Sequence, residues 1–181
     1  IAILPLSAQD IESQLSGNTA AQGFTIKSNA GSSLFTIRGD GKVGIGNNTP
    51  GAQLTVSGLD GFLVTGTMSQ GSIPATGAGV RMMWYPKKCA FRAGEVNGAQ
   101  WDDSNIGLYS TAMGKQLIAS GTCSTAMGYY TKASGDESTA MGCFTTASAT
   151  YSTAMGVSTT ASAYGSTAMG YYTTASGKNS T

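Results

Sequence analysis

Side chains of fixed size alternate along the last two-fifths of the chain. The phrase "STAMG" begins at Ser110, Ser124, Ser138, Ser152 and Ser166, fourteen residues apart throughout, and starts again at Ser180. Between the copies lie "LIASG", "TKASG", "TTASA", "TTASA" and "TTASG", so the underlying unit has seven residues. Its third place is alanine ten times running: Ala112, Ala119, Ala126, Ala133, Ala140, Ala147, Ala154, Ala161, Ala168 and Ala175. Its fifth place is glycine eight times in ten, with Ala149 and Ala163 the exceptions.

A period of seven suggests a coiled coil, but a heptad seam needs two large apolar positions. Here the uniform apolar position is alanine, and a glycine in each unit would cost a helix about 1 kcal/mol. Strands fit instead. Alternate side chains of a strand face opposite ways, so Ser, Ala and Gly of "STAMG" share one face and Thr and Met the other. In "TTASG", Thr, Ala and Gly share a face. The unvarying small face predicts two short strands packed back to back. Each fourteen-residue unit then forms one turn of a flattened solenoid: strand, two-residue corner, strand, two-residue corner. Glycine is expected at the corner, where positive φ is needed. Turns would stack at about 4.8 Å, each hydrogen-bonded to the next.

The outward columns carry the candidate functional residues. Met113, Met127, Met141, Met155 and Met169 recur at fourteen and predict a thioether ladder on one side. A stripe of that kind is rarely left in water, so copies of the same chain are expected to cover it. The second outward face carries Thr146 with Ser148, Thr160 with Ser162 and Thr174 with Ser176, interrupted by Ile118 and Lys132. It resembles the threonine arrays of ice-binding solenoids, and the interruptions favour a hydrated hydroxyl face. One corner column gathers Tyr129, Tyr130, Phe144, Tyr171 and Tyr172, an aromatic edge that could meet sugar rings or a neighbouring chain, or simply cover glycines.

Composition narrows the class. Charged residues are 10% of 181, far below the usual quarter, and there are 26 glycines. Solubility must then come from Ser, Thr, Asn and Gln, as in extracellular fibres. A net charge of +1 gives no field for phosphates, which argues against a nucleic-acid partner. Histidine is absent, and with it the commonest general base and metal ligand. Cys89, Cys123 and Cys143 form neither a disulfide framework nor a zinc pattern. No catalytic, cofactor or metal site is expected, and no apolar run reaches a membrane span. Asp102 and Asp103 beside Trp101 lack a nucleophile or base at a telling spacing.

Upstream, four segments are expected: 1–23, an apolar stretch and linker; 24–58, a small β module; 59–108, a connector or cap; and 109–181, the roll. "IAILPLSAQD" reads either as the tail of a signal peptide with a small-residue site at Ser7-Ala8, or as a strand. Asp40-Gly41 is a hairpin signal. "GDGKVG" matches a dinucleotide-binding glycine pattern, but "IGNNTPG" rather than a helix follows it. Arg38-Gly39-Asp40 spells a known integrin-recognition tripeptide, which turn chemistry explains more simply. Trp84, Phe91 and Trp101 could cover the first turn of the roll.

The array over Ser110–Thr181 resembles the head repeat of YadA-like trimeric autotransporter adhesins. That resemblance implies a fourteen-residue left-handed parallel β-roll, a homotrimer, and a Met ladder at the trimer interface, with Thr and Met replacing the family's usual aliphatic pair. Arg38–Gly58 resembles the trimerising β modules of bacteriophage tail fibres and bacterial surface fibres, and Gly79–Gly107 resembles segments that precede such rolls. The expectation is an all-β, homotrimeric fibre segment on a bacterial surface, attaching by multivalent display to a receptor or glycan on a host or prey surface. Alternatives are a phage or phage-derived tail fibre, an ice-binding solenoid, and an extracellular filament subunit that assembles end to end.

Overall fold

The computed structural model describes residues 19–21 and 23–181, so the expectations for Ile1–Ala8 lie outside the described residues. The chain divides into two units, one ending at Val64 and one running from Thr65 to Thr181. The described residues form strands, turns and three short 3-10 turns: Pro86–Lys88, Ala99–Trp101 and Asp103–Asn105.

The first unit holds one sheet of β1 (Gly23–Lys27), β2 (Ser33–Arg38), β3 (Val43–Ile45) and β4 (Leu54–Val56), in that order. β1–β2 and β2–β3 are antiparallel and β3–β4 is parallel. The expected hairpin at Asp40-Gly41 joins β2 to β3, with Gly41 at φ 82° and its N–H donating to Arg38 O at 3.0 Å. β3, not a helix, begins within "GDGKVG" at Val43. Arg38 and Asp40 are tied to each other at 3.0 Å, so the side chains that would meet a receptor are paired within the turn.

The second unit is a parallel β-solenoid. Five long strands, β7 (Thr111–Lys115), β9 (Thr125–Tyr129), β11 (Thr139–Cys143), β13 (Thr153–Val157) and β15 (Thr167–Tyr171), stack in parallel. Like residues sit on like: Ala140 pairs with Ala126 and Ala154, and Met141 with Met127 and Met155. Opposite them β8 (Ile118–Ala119), β10 (Lys132–Ala133), β12 (Thr146–Ala147), β14 (Thr160–Ala161) and β16 (Thr174–Ala175) form a five-stranded sheet of two-residue strands. The alanines of both sheets meet in one buried core. Each turn thus has a five-residue strand, a short corner, a two-residue strand and a longer corner such as Ser120–Ser124. The expected equal halves give way to unequal ones.

The corners also differ from expectation in their residues. Positive φ falls on Gln116, Tyr130, Phe144, Ser158 and Tyr172 at one corner (51–59°), and on Cys123, Glu137, Tyr151, Gly165 and Asn179 at the other (54–64°). Only one of these is glycine. The ladder continues through these bends and offsets the strain there: Phe144 N–H donates to Tyr129 O at 2.9 Å, and Tyr151 N–H to Asp136 O at 2.9 Å. The glycines of "STAMG" sit instead inside the long strand, at φ 113–135°. The glycine column of "TTASG" takes no such angle, and it is there that Ala149 and Ala163 replace glycine.

Serine and threonine divide the interior between them. Buried Ser124, Ser138, Ser152 and Ser166 each donate Oγ–H to the carbonyl three residues back at 2.6–2.7 Å, closing the longer corner. Thr131, Thr145 and Thr159 are equally buried, but among the described residues their Oγ1 atoms have no partner. In the first turn Leu117 fills the same place. An unpaired buried hydroxyl costs about 1–3 kcal/mol. Thr145→Val, which keeps the shape, is therefore expected to stabilise by about 1 kcal/mol, read as a raised midpoint in chemical denaturation. A lowered midpoint would reveal a polar partner for that hydroxyl.

Candidate functional site

The roll begins before its first "STAMG". β5 (Gly79–Tyr85) and β6 (Ala90–Val96) form an antiparallel hairpin, and β6 pairs in parallel with β7. Phe91, Arg92, Ala93, Gly94 and Glu95 align with Thr111, Ala112, Met113, Gly114 and Lys115. "FRAGE" is thus a worn copy of "TAMGK" with arginine in the alanine slot.

Arg92 is fully buried and, among the described residues, faces no carboxylate at hydrogen-bonding distance. Its guanidinium donates to Phe91 O, Ser110 O and Ser110 Oγ at 2.8 Å each, and to Ala119 O at 3.0 Å. Burial pulls its pKa down to about 10. Trp101, also fully buried, packs with Val96, Leu117 and the alanine core. Together they close the roll's first turn. Trp84 and Phe91 do not share that task, because their registers place them outward, in the column of Thr111. On the inward side of the hairpin, Tyr85 donates to Asp103 Oδ1 at 2.7 Å. Burial first, then Asp103, pushes the phenol up to about 12, and the Tyr85 hydrogen bond with Lys88 nearby holds Asp103 below its ordinary range.

The ten interior alanines are buried. The thioether column stands outward: Met113, Met155 and Met169 are exposed and Met127 and Met141 half-buried. Registers extend it beyond the roll, because Met113 pairs with Ala93 and Ala93 with Met82. Sequence reading missed Met82, since the link runs through a strand whose repeat has decayed. The aromatic residues form two patches. Tyr129, Tyr130 and Phe144 lie 4.6–5.5 Å apart, and Tyr171 and Tyr172 lie 4.4 Å apart, with the Val157–Ser158 rung between the patches. The opposite corner carries a further pair, Tyr151 and Tyr164 at 5.3 Å, with Lys178 over the Tyr164 ring. These were invisible as a column because they fall on adjacent corner positions.

The first unit presents a second apolar surface. Cross-strand partners share a face, and the pairs Phe24–Ile37, Ile26–Phe35, Phe35–Ile45, Ile37–Val43, Val43–Leu54 and Ile45–Val56 place eight large apolar residues together. Thr25, Thr36, Gly44 and Thr55 line the other face. Among this unit's described residues only Thr36, Gly44 and Pro50 are buried.

Among the described residues no cluster of His, Cys, Asp and Glu could hold a metal, and no helix is long and apolar enough to cross a membrane. The cysteines are free thiols. Long sheets of identical rungs around an alanine core, with apolar columns facing out, define a structural repeat protein. Its repeats match a described family: residues 119–142, 147–173 and 161–181 fit the YadA head domain repeat (2 copies). The roll is therefore similar to the YadA head repeat, and that family is one of structural adhesins with trimeric heads. No curated protein and no solved structure matches the chain.

Proposed function

We propose that this chain is a segment of a homotrimeric adhesive fibre on a bacterial surface, which attaches by displaying three copies of the roll at once. The outward thioether column carries the reading. An alanine methyl contributes about 0.8 kcal/mol on burial, whereas a valine or leucine side chain contributes about 1.5–3. A core of alanines leaves much of the apolar surface of this roll on the outside, and sister chains are the natural cover. The apolar face of the β1–β4 sheet asks for the same arrangement, since few buried side chains support it from within. Three identical faces acting together would multiply a weak contact with a receptor or glycan. The segments proposed as functional parts are the module at 24–58, the connector at 59–108 and the roll at 109–181, with the aromatic patches as the ligand-facing edge.

The experiment is a mass measurement. Met141→Asp is expected to convert an assembly of three chains to single 18.3 kDa chains, or to aggregate, in sedimentation. A trimer that survives the change would remove the Met column from the interface.

A further inference from the structure

We propose that the β5–β6 hairpin is a docking surface for a second copy of this chain, with Val80, Met82 and Trp84 as its apolar contact. The inference rests on the reading that the long-strand face assembles copies, and it moves much of that contact off the repeats.

Registers carry the argument. Trp84 pairs with Phe91 and Phe91 with Thr111; Met82 pairs with Ala93 and Ala93 with Met113; Val80 pairs with Glu95 and Glu95 with Lys115. The hairpin's outward residues therefore continue the three outward columns of the roll without a break. Val80 is 81% exposed, Met82 76% and Trp84 37%, whereas their inward neighbours Met83 and Tyr85 are buried. Val80 and Met82 are far barer than Met113 at 36%, and they stand on the terminal strand of the seven-stranded sheet. Soluble chains usually blunt such a strand with charge or proline. Here three large apolar side chains stand on it instead.

Size and charge select the occupant. At about 4.8 Å between strands, the five roll strands span about 19 Å and the seven together about 29 Å. At a width of about 16 Å for five residues, the flat footprint grows from roughly 300 to roughly 460 Å². A standard interface takes about 800 Å² from each partner, so the hairpin's third is not surplus. Glu95, the charged residue on the hairpin's outward columns, is paired with Lys115 at 3.2 Å. The surface therefore offers no net charge to an anionic or basic partner. A copy lying along the Met column overlies Ala93 and then Met82 as the next two steps of the same sheet.

The test is sedimentation equilibrium of the full chain, with circular dichroism alongside, for wild type, Met82→Asp, Met82→Leu and Met141→Asp. Met82→Asp is expected to weaken self-association at least 100-fold with strand signal unchanged, because Met82 is already exposed in the single chain. Met82→Leu should associate as wild type does. If Met82→Asp assembles normally while Met141→Asp dissociates, the hairpin proposal fails and the trimeric reading stands. If Met82→Asp loses strand signal before it loses mass, the cover comes from the chain itself and the proposal also fails. A wild-type monomer overturns both.

Discussion

Gly142→Ala is expected to cost the roll about 4 kcal/mol, from left-handed-side strain of about 1–2 and overpacking of about 1–3. Gly142 takes φ +121°, and a Cβ there would lie inside the contact distance of Gly156 O on the next rung. Neither problem can relax by rotating a side chain, because the colliding atom is a backbone carbonyl in the ladder. Gly170 separates the two contributions. It has nearly the same angle, φ +119°, but a Cβ would meet only Thr173 Cγ2 at 3.5 Å. Gly170→Ala should therefore cost about 1–2 kcal/mol, the strain alone. Urea denaturation of the two variants side by side measures the difference. Equal losses would mean that the stacking distance between rungs plays no part in the choice of glycine.

The second large effect is expected at the other end of the array. Arg92→Ala removes a buried side chain and takes its donors from Phe91 O, Ser110 O, Ser110 Oγ and Ala119 O, although Ser110 O keeps the Phe91 N–H and Ala119 O the Gly107 N–H. Cavity formation costs about 2–5 kcal/mol for large-to-small changes, and the lost hydrogen bonds add to it. Burial already disfavours the charged form of Arg92, as its lowered pKa shows, and that relief offsets part of the loss. A net cost of about 4 kcal/mol is expected, and about 2 for Arg92→Met, which keeps the volume but not the donors. Hydrogen exchange should locate the damage in β6, β7 and β8 and leave β13 to β16 protected. Uniform loss of protection would show that the roll unfolds as one block rather than turn by turn.

How far the fold could be read in advance follows from where the repeat is intact. Ala, Ser and Met recur at fixed spacing because each rung meets an identical rung, so the pattern exposes the parallel stack and its buried face. The hairpin escaped notice because Arg92 occupies an alanine position: hydrogen bonding to carbonyls lets a long cation fill the space at the mouth of the roll. Trp84 and Phe91 were placed as a cover by their size, whereas register turned them outward and left the task to Trp101. Glycine was assigned to the corners on its freedom of φ alone. The corners tolerate Tyr130 and Phe144 at positive φ, since each such N–H is held by the previous turn, and glycine is needed inside the long strand, where φ reaches 113–135°.

Because every bend is pinned to the one before it, a whole fourteen-residue turn is a self-consistent module. Duplicating one would lengthen the array by about 4.8 Å and leave every column aligned, whereas gaining or losing a single residue would turn the alanines of that rung out of line. The length of the array can thus be adjusted in small, equal increments by recombination within the gene, with its flanking turns untouched.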